Sequence, residues 1–268
     1  MRIFVKLTKV KTIYMQTQFE ELTDAQWTKV SYYLPTERSR KHNLRVVFNA
    51  ILYLVRTGCQ WRNLDSKYPK WQCVYYYFRT WTKLGIFAEI NLDLIDQERI
   101  AQGRNVLPSV NMIDSQSVKI APFTHEAKGI DGGKRINGRK RHVITDVNGF
   151  IMAVAVTSAK VHDAPGGCAI FKRYFHDFKQ IKCFYADAAY GGTFKDLANA
   201  NKIEVVIASK PESAKGFVPV KKRWVVERSF GWLNFFRRLS KDYEKKTKSS
   251  ESMIFLAQIQ IILNRKSA

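Results

Sequence analysis

Near residue 105 the apolar rhythm of this 268-residue chain changes. Before that point apolar side chains recur at helical spacing. After it they come in short strand-like runs separated by turn residues, so neither an all-helical bundle nor an all-β sandwich accommodates the whole chain. In the first part, Thr23-Asp24-Ala25-Gln26 has the form of a capping box opening a short helix that stops at Pro35. A second helix over about 41–57 ends at Gly58, and a third over about 70–84 (WQCVYYYFRTWTKL) ends at Gly85, both glycines standing where helices commonly close. An acidic helical stretch at 88–101 and a linker, QGRNVLPS, follow.

Beyond residue 110, NMIDSQSVKI reads as a strand and RHVITDVNGFIMAVAV as two strands around the hairpin signal Asn148-Gly149. A helix at 164–178, the strand IKCFYAD, a Gly191-Gly192 loop, a helix at 193–201 and the strand IEVVIAS continue the pattern. A long helix from near Lys222 and a last apolar helix at 251–264 complete it. This order predicts an α/β domain with a mixed sheet covered on both faces, residues 105–268, behind a helical domain at 22–104 and an extension at 1–21. The segment 125–141 is rich in Gly, Lys and Arg and reads as a mobile basic loop.

The partner class follows from charge. Lys and Arg number 45 against 23 Asp and Glu, a formal net charge of +22. So large a basic excess points to nucleic acid, whose neutralised phosphates release counterions and supply affinity without sequence readout. No apolar run approaches a membrane span, and the N-terminal segment has no signal-peptide core, so a soluble protein of a reducing interior is expected. Met15 is an alternative start. The four cysteines (Cys59, Cys73, Cys168, Cys183) show no metal-ligand spacing. Helices one to three, the last both basic and aromatic, suggest a helix-turn-helix-like module with Tyr75, Tyr76 and Arg79 on the reading helix. The same pattern suits a plain three-helix bundle whose Trp71, Tyr75 and Trp81 are core.

Three carboxylates stand in apolar surroundings, where they need cations or hydrogen-bond donors. Asp114 interrupts a strand. Asp187 closes the apolar run from Ile181 and precedes a glycine loop, at the kind of strand end where α/β sheets bind ligands. Each also suits a plainer role: Asp114 as acceptor for loop amides, Asp187 as a turn or N-cap residue. Glu227 belongs to a stripe. At about 100° per residue, Arg223, Glu227, Asn234 and Arg238 fall on one narrow face of an otherwise apolar helix. An internal Arg–Glu ladder would produce the same stripe.

Taken in order, MIDSQSVK around Asp114, GRKRH at 138–142, His162-Asp163, ADAAYGG around Asp187 and RWVVERSFGWL around Glu227 resemble the DDE transposases of bacterial insertion sequences, specifically insertion-sequence family five. LTDAQW, RTGCQWRNL and VYYYFRTW resemble that family's helical DNA-binding region, so the resemblance runs from about Leu22 to Leu239. It implies a ribonuclease-H-like (retroviral-integrase-like) sheet with Asp114, Asp187 and Glu227 as catalytic, metal-holding acids. Two Mg²⁺ (or Mn²⁺) ions about 4 Å apart would activate the attacking oxygen and stabilise the leaving one. It further implies double-stranded DNA partners (terminal inverted repeats and target), a homodimer or higher oligomer on DNA, and a cytoplasmic, nucleoid-associated location. Cleavage without joining, by a metal nuclease, and a silent DNA-binding regulator are the competing activities. Around the glutamate, Arg223 fits the broader signature, whereas Val220 and Asn234 replace its tyrosine and its later basic residue. Arg238, one turn on, is then expected to take over the phosphate contact. Arg139, Lys140 and Arg141 are expected to add sequence-independent phosphate contacts, as is the segment 237–248.

Overall fold

A computed structural model describes residues 18–35, 39–177, 180–207 and 224–265. Four helices come first: α1 (Asp24–Ser31), α2 (Leu44–Thr57), α3 (Trp71–Leu84) and α4 (Ile86–Ala101). Thr23 and Gln26 form the reciprocal capping box at α1, with Gln26 N donating to Thr23 Oγ1 at 3.3 Å and Thr23 N to Gln26 Oε1 at 2.9 Å. Gly58 and Gly85 close α2 and α3. The α/β part continues with β1 (Val110–Lys119), β2 (Gly129–Asp131), β3 (Ile136–Asp146), β4 (Ile151–Ser158), α5 (Asp163–Tyr174), β5 (Cys183–Ala186), α6 (Thr193–Ala200), β6 (Glu204–Ile207), α7 (Trp224–Leu233) and α8 (Thr247–Leu263).

The strands form one six-stranded sheet in the order β2-β3-β1-β5-β6, with β4 also paired to β3. β1 runs antiparallel to β3 and parallel to β5, so the sheet is mixed as expected. The helical part and the sheet share one core. α8 is apolar around nearly its whole circumference, from Met253 to Ile262, because α2, α3 and α4 pack on one side of it and β4 on the other. Phe48, Trp81 and Phe87 meet ring against ring in the helical part of the same cluster. Among the described residues no helix is long and apolar enough to cross a membrane.

Two expectations are corrected here. The segment 125–141 is not a mobile loop throughout: it contributes β2 and the first half of β3, in register with β1 from Lys119–Gly138 to Gln116–Arg141. Its basic side chains are inside. Arg139, Lys140 and Arg141 are 0%, 5% and 2% exposed, so they are not phosphate contacts. Partners distant in sequence compensate two of these charges: Arg139 Nη1 lies 3.2 Å from Asp242, and Lys140 Nζ 3.0 Å from Asp163. The third, Arg141, has its guanidinium 3.4 Å from Gln116, and burial lowers its pKa to about 10.

The long helix is also shorter than its pattern. α7 ends at Leu233, and a 3₁₀ turn at Arg237–Leu239 follows. Arg238 therefore leaves the Glu227 stripe. It is 7% exposed, donates from Nε to Glu244 at 2.8 Å and reaches the carbonyl of Cys59 at 3.2 Å, so it cannot substitute for the family's basic residue. Asn234 is exposed beyond the helix end. Arg223 and Val220 lie outside the described residues.

Candidate active site and nucleic-acid interface

β1 and β5 are hydrogen-bonded neighbours whose parallel register ends at Met112 opposite Tyr185. Two residues beyond that pair stand Asp114, within β1, and Asp187, just past the end of β5, so the register carries both to the same end of the sheet, where both act on the buried Tyr190. Both are half-buried. Their local hydrogen bonds match the plainer roles as well: Asp114 Oδ1 accepts from Ser115 N at 2.7 Å, and Asp187 Oδ1 caps a 3₁₀ turn by accepting from Ala189 N at 3.0 Å. Glu227 is exposed in the first turn of α7, the helix packed against β1. Among the described residues, no three Asp, Glu, His or Cys side chains converge closely enough to hold a metal ion. The structure thus brings Asp114 and Asp187 to one end of the sheet and leaves Glu227 on an adjoining helix.

Residue-by-residue reading overlooked what lies beneath the aspartates. The Tyr190 side chain is fully buried. Burial raises the phenol well above its ordinary pKa, and the negative fields of Asp114, Asp163 and Asp187 add to the effect. Asp163 Oδ1 accepts from Ser115 Oγ at 2.6 Å and pairs with Lys140 Nζ. Burial pushes this carboxyl up, but the Ser115 and Lys140 contacts outweigh it and hold it below the usual carboxylate range. Lys140 is therefore an internal counter-charge that pins β1 through Asp163. ADAAYGG and His162-Asp163 carried the only sequence signal for this layer.

Beside it, His142 is pressed against α5. A Cβ at Gly166 would lie 2.0 Å from the imidazole, which only glycine permits. Burial pushes His142 from 6.5 down to about 4, with the Asp163 charge opposing. The folded state refuses a proton that the unfolded chain accepts below about pH 6.5. Stability from this group is therefore complete above pH 6.5 and lost as pH falls towards 4, by about 3 kcal/mol in all. Urea unfolding at pH 7 and pH 4.5 checks this. His142→Gln should remove most of that pH-dependent step, and an unchanged step would assign it to other groups.

A second feature lies on the helical side. Tyr75, Tyr76 and Arg79 of α3 line a groove of about 580 Å³ whose other wall is Lys246, Lys248 and Ser249 at the start of α8. Tyr76 is 64% exposed and Arg79 is exposed, whereas Tyr75 is half-buried against Trp61 and Phe78. Four basic residues (Arg79, Lys83, Lys246, Lys248) and no acidic ones line it. Lys246 also pairs with Glu126 at 3.0 Å from outside the lining.

A mixed sheet with two aspartates at one end of adjoining strands, a helix-borne glutamate beside it and a basic groove defines an α/β protein with an acidic site and a separate basic surface. Its relatives make the family explicit. A family model described as "Transposase DDE domain" matches residues 106–262, and one described as "Putative transposase of IS4/5 family" matches residues 22–91. The chain belongs to the DDE transposase family of the IS4/5 type, as its motifs indicated. It is 33% identical over 117 residues to the "Putative transposase for insertion sequence element IS402" of Burkholderia cepacia, covering 41% of this chain and 55% of that protein. It is 25% identical over 117 residues to the uncharacterized protein y4sN of Sinorhizobium fredii, covering 42% and 87%.

Proposed function

We propose that the protein is a DNA transposase that cleaves DNA at the ends of an insertion sequence and joins the freed 3′-hydroxyl to target DNA. The observation that carries this reading is the parallel β1–β5 register, which carries Asp114 and Asp187 to the same end of the sheet. Hard divalent cations such as Mg²⁺ or Mn²⁺ prefer carboxylate oxygens as ligands. Asp114, Asp187 and Glu227 would hold the ions, which when bound activate an attacking oxygen and stabilise a leaving one. Ser115 and Lys140, through Asp163, keep β1 and hence Asp114 in place. Tyr190 gives the aspartates a dry floor.

The α3–α8 groove would take the DNA backbone, with Tyr76 and Arg79 reaching the duplex. Because the groove draws on both α3 and α8, the full chain rather than its helical part is the DNA-binding unit. Synapsis of two element ends would call for at least a dimer on DNA. With Arg139, Lys140, Arg141 and Arg238 internal, the groove's four basic residues should make affinity fall by about two decades between 50 and 200 mM salt. Arg79→Ala should lower the salt slope by about one. An unchanged slope in fluorescence anisotropy would remove Arg79 from the interface. The activity itself is tested with labelled duplex DNA carrying the element's ends, Mg²⁺ and a target plasmid. Nicked ends joined to the plasmid are expected. Nicking without joining would leave a metal nuclease, and neither product would overturn the reading.

A further inference from the structure

The two residues after Glu227 reach consecutive carbonyls of one tight turn. Arg228 Nη2 donates to the carbonyl of Asn148 at 2.7 Å, and Ser229 Oγ lies 2.6 Å from that of Gly149, closer than the 3.0 Å to the Val225 carbonyl of its own helix with which it shares its one hydrogen. This is the β3–β4 turn, and it is itself held rigidly. Asp146 Oδ1 accepts from the backbone N–H of Asn148 (2.9 Å) and of Phe150 (3.0 Å), while its Oδ2 pairs with Arg99 of α4 at 2.5 Å, both side chains buried.

The approach is closely fitted. Gly149 adopts φ +86°, and a Cβ there would stand 2.9 Å from Ser229 Oγ and 3.2 Å from Arg228 Nη2. The Arg228 guanidinium sits between the Trp224 and Trp232 rings, 4.5 and 4.7 Å from their centroids. Its Nε is buried without a hydrogen-bond partner. Leaving a donor unsatisfied costs stability, so this placement gives up some stability to hold a geometry.

A helix of a folded protein draws most of its stability from tertiary packing rather than from propensity. The apolar face of α7 (Val225, Val226, Phe230, Leu233) sets which side is buried. Apolar packing is non-directional, however, and leaves small rotations and slides cheap. Hydrogen bonds from adjacent residues to adjacent carbonyls are directional and remove both freedoms.

We propose that the Asn148–Gly149 turn is a clamp, and that Arg228 and Ser229 are positioning residues that set the rotation of α7 and thereby where Glu227 stands relative to Asp114 and Asp187. This rests on the reading of Glu227 as a metal-holding acid. Supports one step removed from a metal ligand commonly alter metal affinity or activity by about 10- to 100-fold.

The test uses the full chain with Arg228→Met, which keeps an apolar stem between the tryptophans, and Ser229→Ala, with Glu227→Gln as reference. Mn²⁺ affinity is read from the free-ion paramagnetic resonance signal, DNA cleavage is titrated against Mn²⁺, and melting is followed in parallel. Both positioning variants should lose about tenfold or more in Mn²⁺ affinity on the folded fraction. Their cleavage should be partly restored at high Mn²⁺, and their DNA affinity unchanged. Wild-type Mn²⁺ affinity and cleavage in both variants, with Glu227→Gln deficient, would overturn the clamp, as would losses that track only the unfolded fraction. Wild-type behaviour of Glu227→Gln would instead overturn the role of Glu227, and the clamp's purpose with it.

Discussion

Asp187→Asn is expected to abolish DNA strand cleavage, by at least about 10³-fold, while the protein folds and binds DNA as before. The substitution separates the two things Asp187 can do. Its Oδ1 caps the 3₁₀ turn at Ala188–Tyr190 by accepting from Ala189 N, and an asparagine carbonyl oxygen can accept the same hydrogen bond. What asparagine lacks is the charge needed to hold a divalent ion. Asp187→Ala would remove both roles and should add a loss of about 1 kcal/mol, the usual worth of a cap. The parallel change at its register neighbour, Asp114→Asn, should behave alike, because Ser115 N asks only for an acceptor. Cleavage of labelled duplex, set beside melting temperature and anisotropy, measures all three quantities. An Asp187→Asn protein that cleaves at the wild-type rate would reduce Asp187 to a turn residue.

Arg139→Ala should destabilise the fold by about 3–5 kcal/mol and leave the DNA affinity of the folded fraction unchanged. The sequence alone suggested the reverse. In the structure the Arg139 guanidinium donates to the carbonyls of Glu126 (2.6 and 3.0 Å), Glu244 (2.8 Å) and Lys245 (3.2 Å) and pairs with Asp242. Removing it leaves the 0%-exposed Asp242 side chain with its Ser250 (2.5 Å) and Glu244 N (3.0 Å) donors and the field of Arg141, but without the cation that pairs with it directly. Several carbonyls lose their donors at the same time. Urea unfolding gives the stability change, and anisotropy at matched folded fraction gives the affinity. A loss below about 1 kcal/mol together with weaker DNA binding would return Arg139 to the surface role.

The division between what was legible and what was not follows the range of the forces involved. The Thr23–Gln26 box, the closing glycines Gly58 and Gly85 and the Asn148-Gly149 turn could be read directly, because each is settled by atoms within a few residues. The mixed sheet was legible from the order of apolar runs. The candidate acids stood out because a carboxylate in an apolar run is costly anywhere. The sequence by itself could not tell that the basic stretch of β3 is interior, since the groups that neutralise Arg139 and Lys140 come from Asp242 and Asp163, far along the chain. Nor could it end α7 at Leu233. No proline follows, and the apolar pattern runs on through Phe235, Phe236 and Leu239. The chain turns there because Arg238 finds Glu244 and the Cys59 carbonyl, and Arg56 the carbonyl of Phe235, across the packed interface with α2. Local propensity decides elements whose ends are satisfied locally. Where a buried charge or a helix end is satisfied only by a distant partner, the tertiary structure decides.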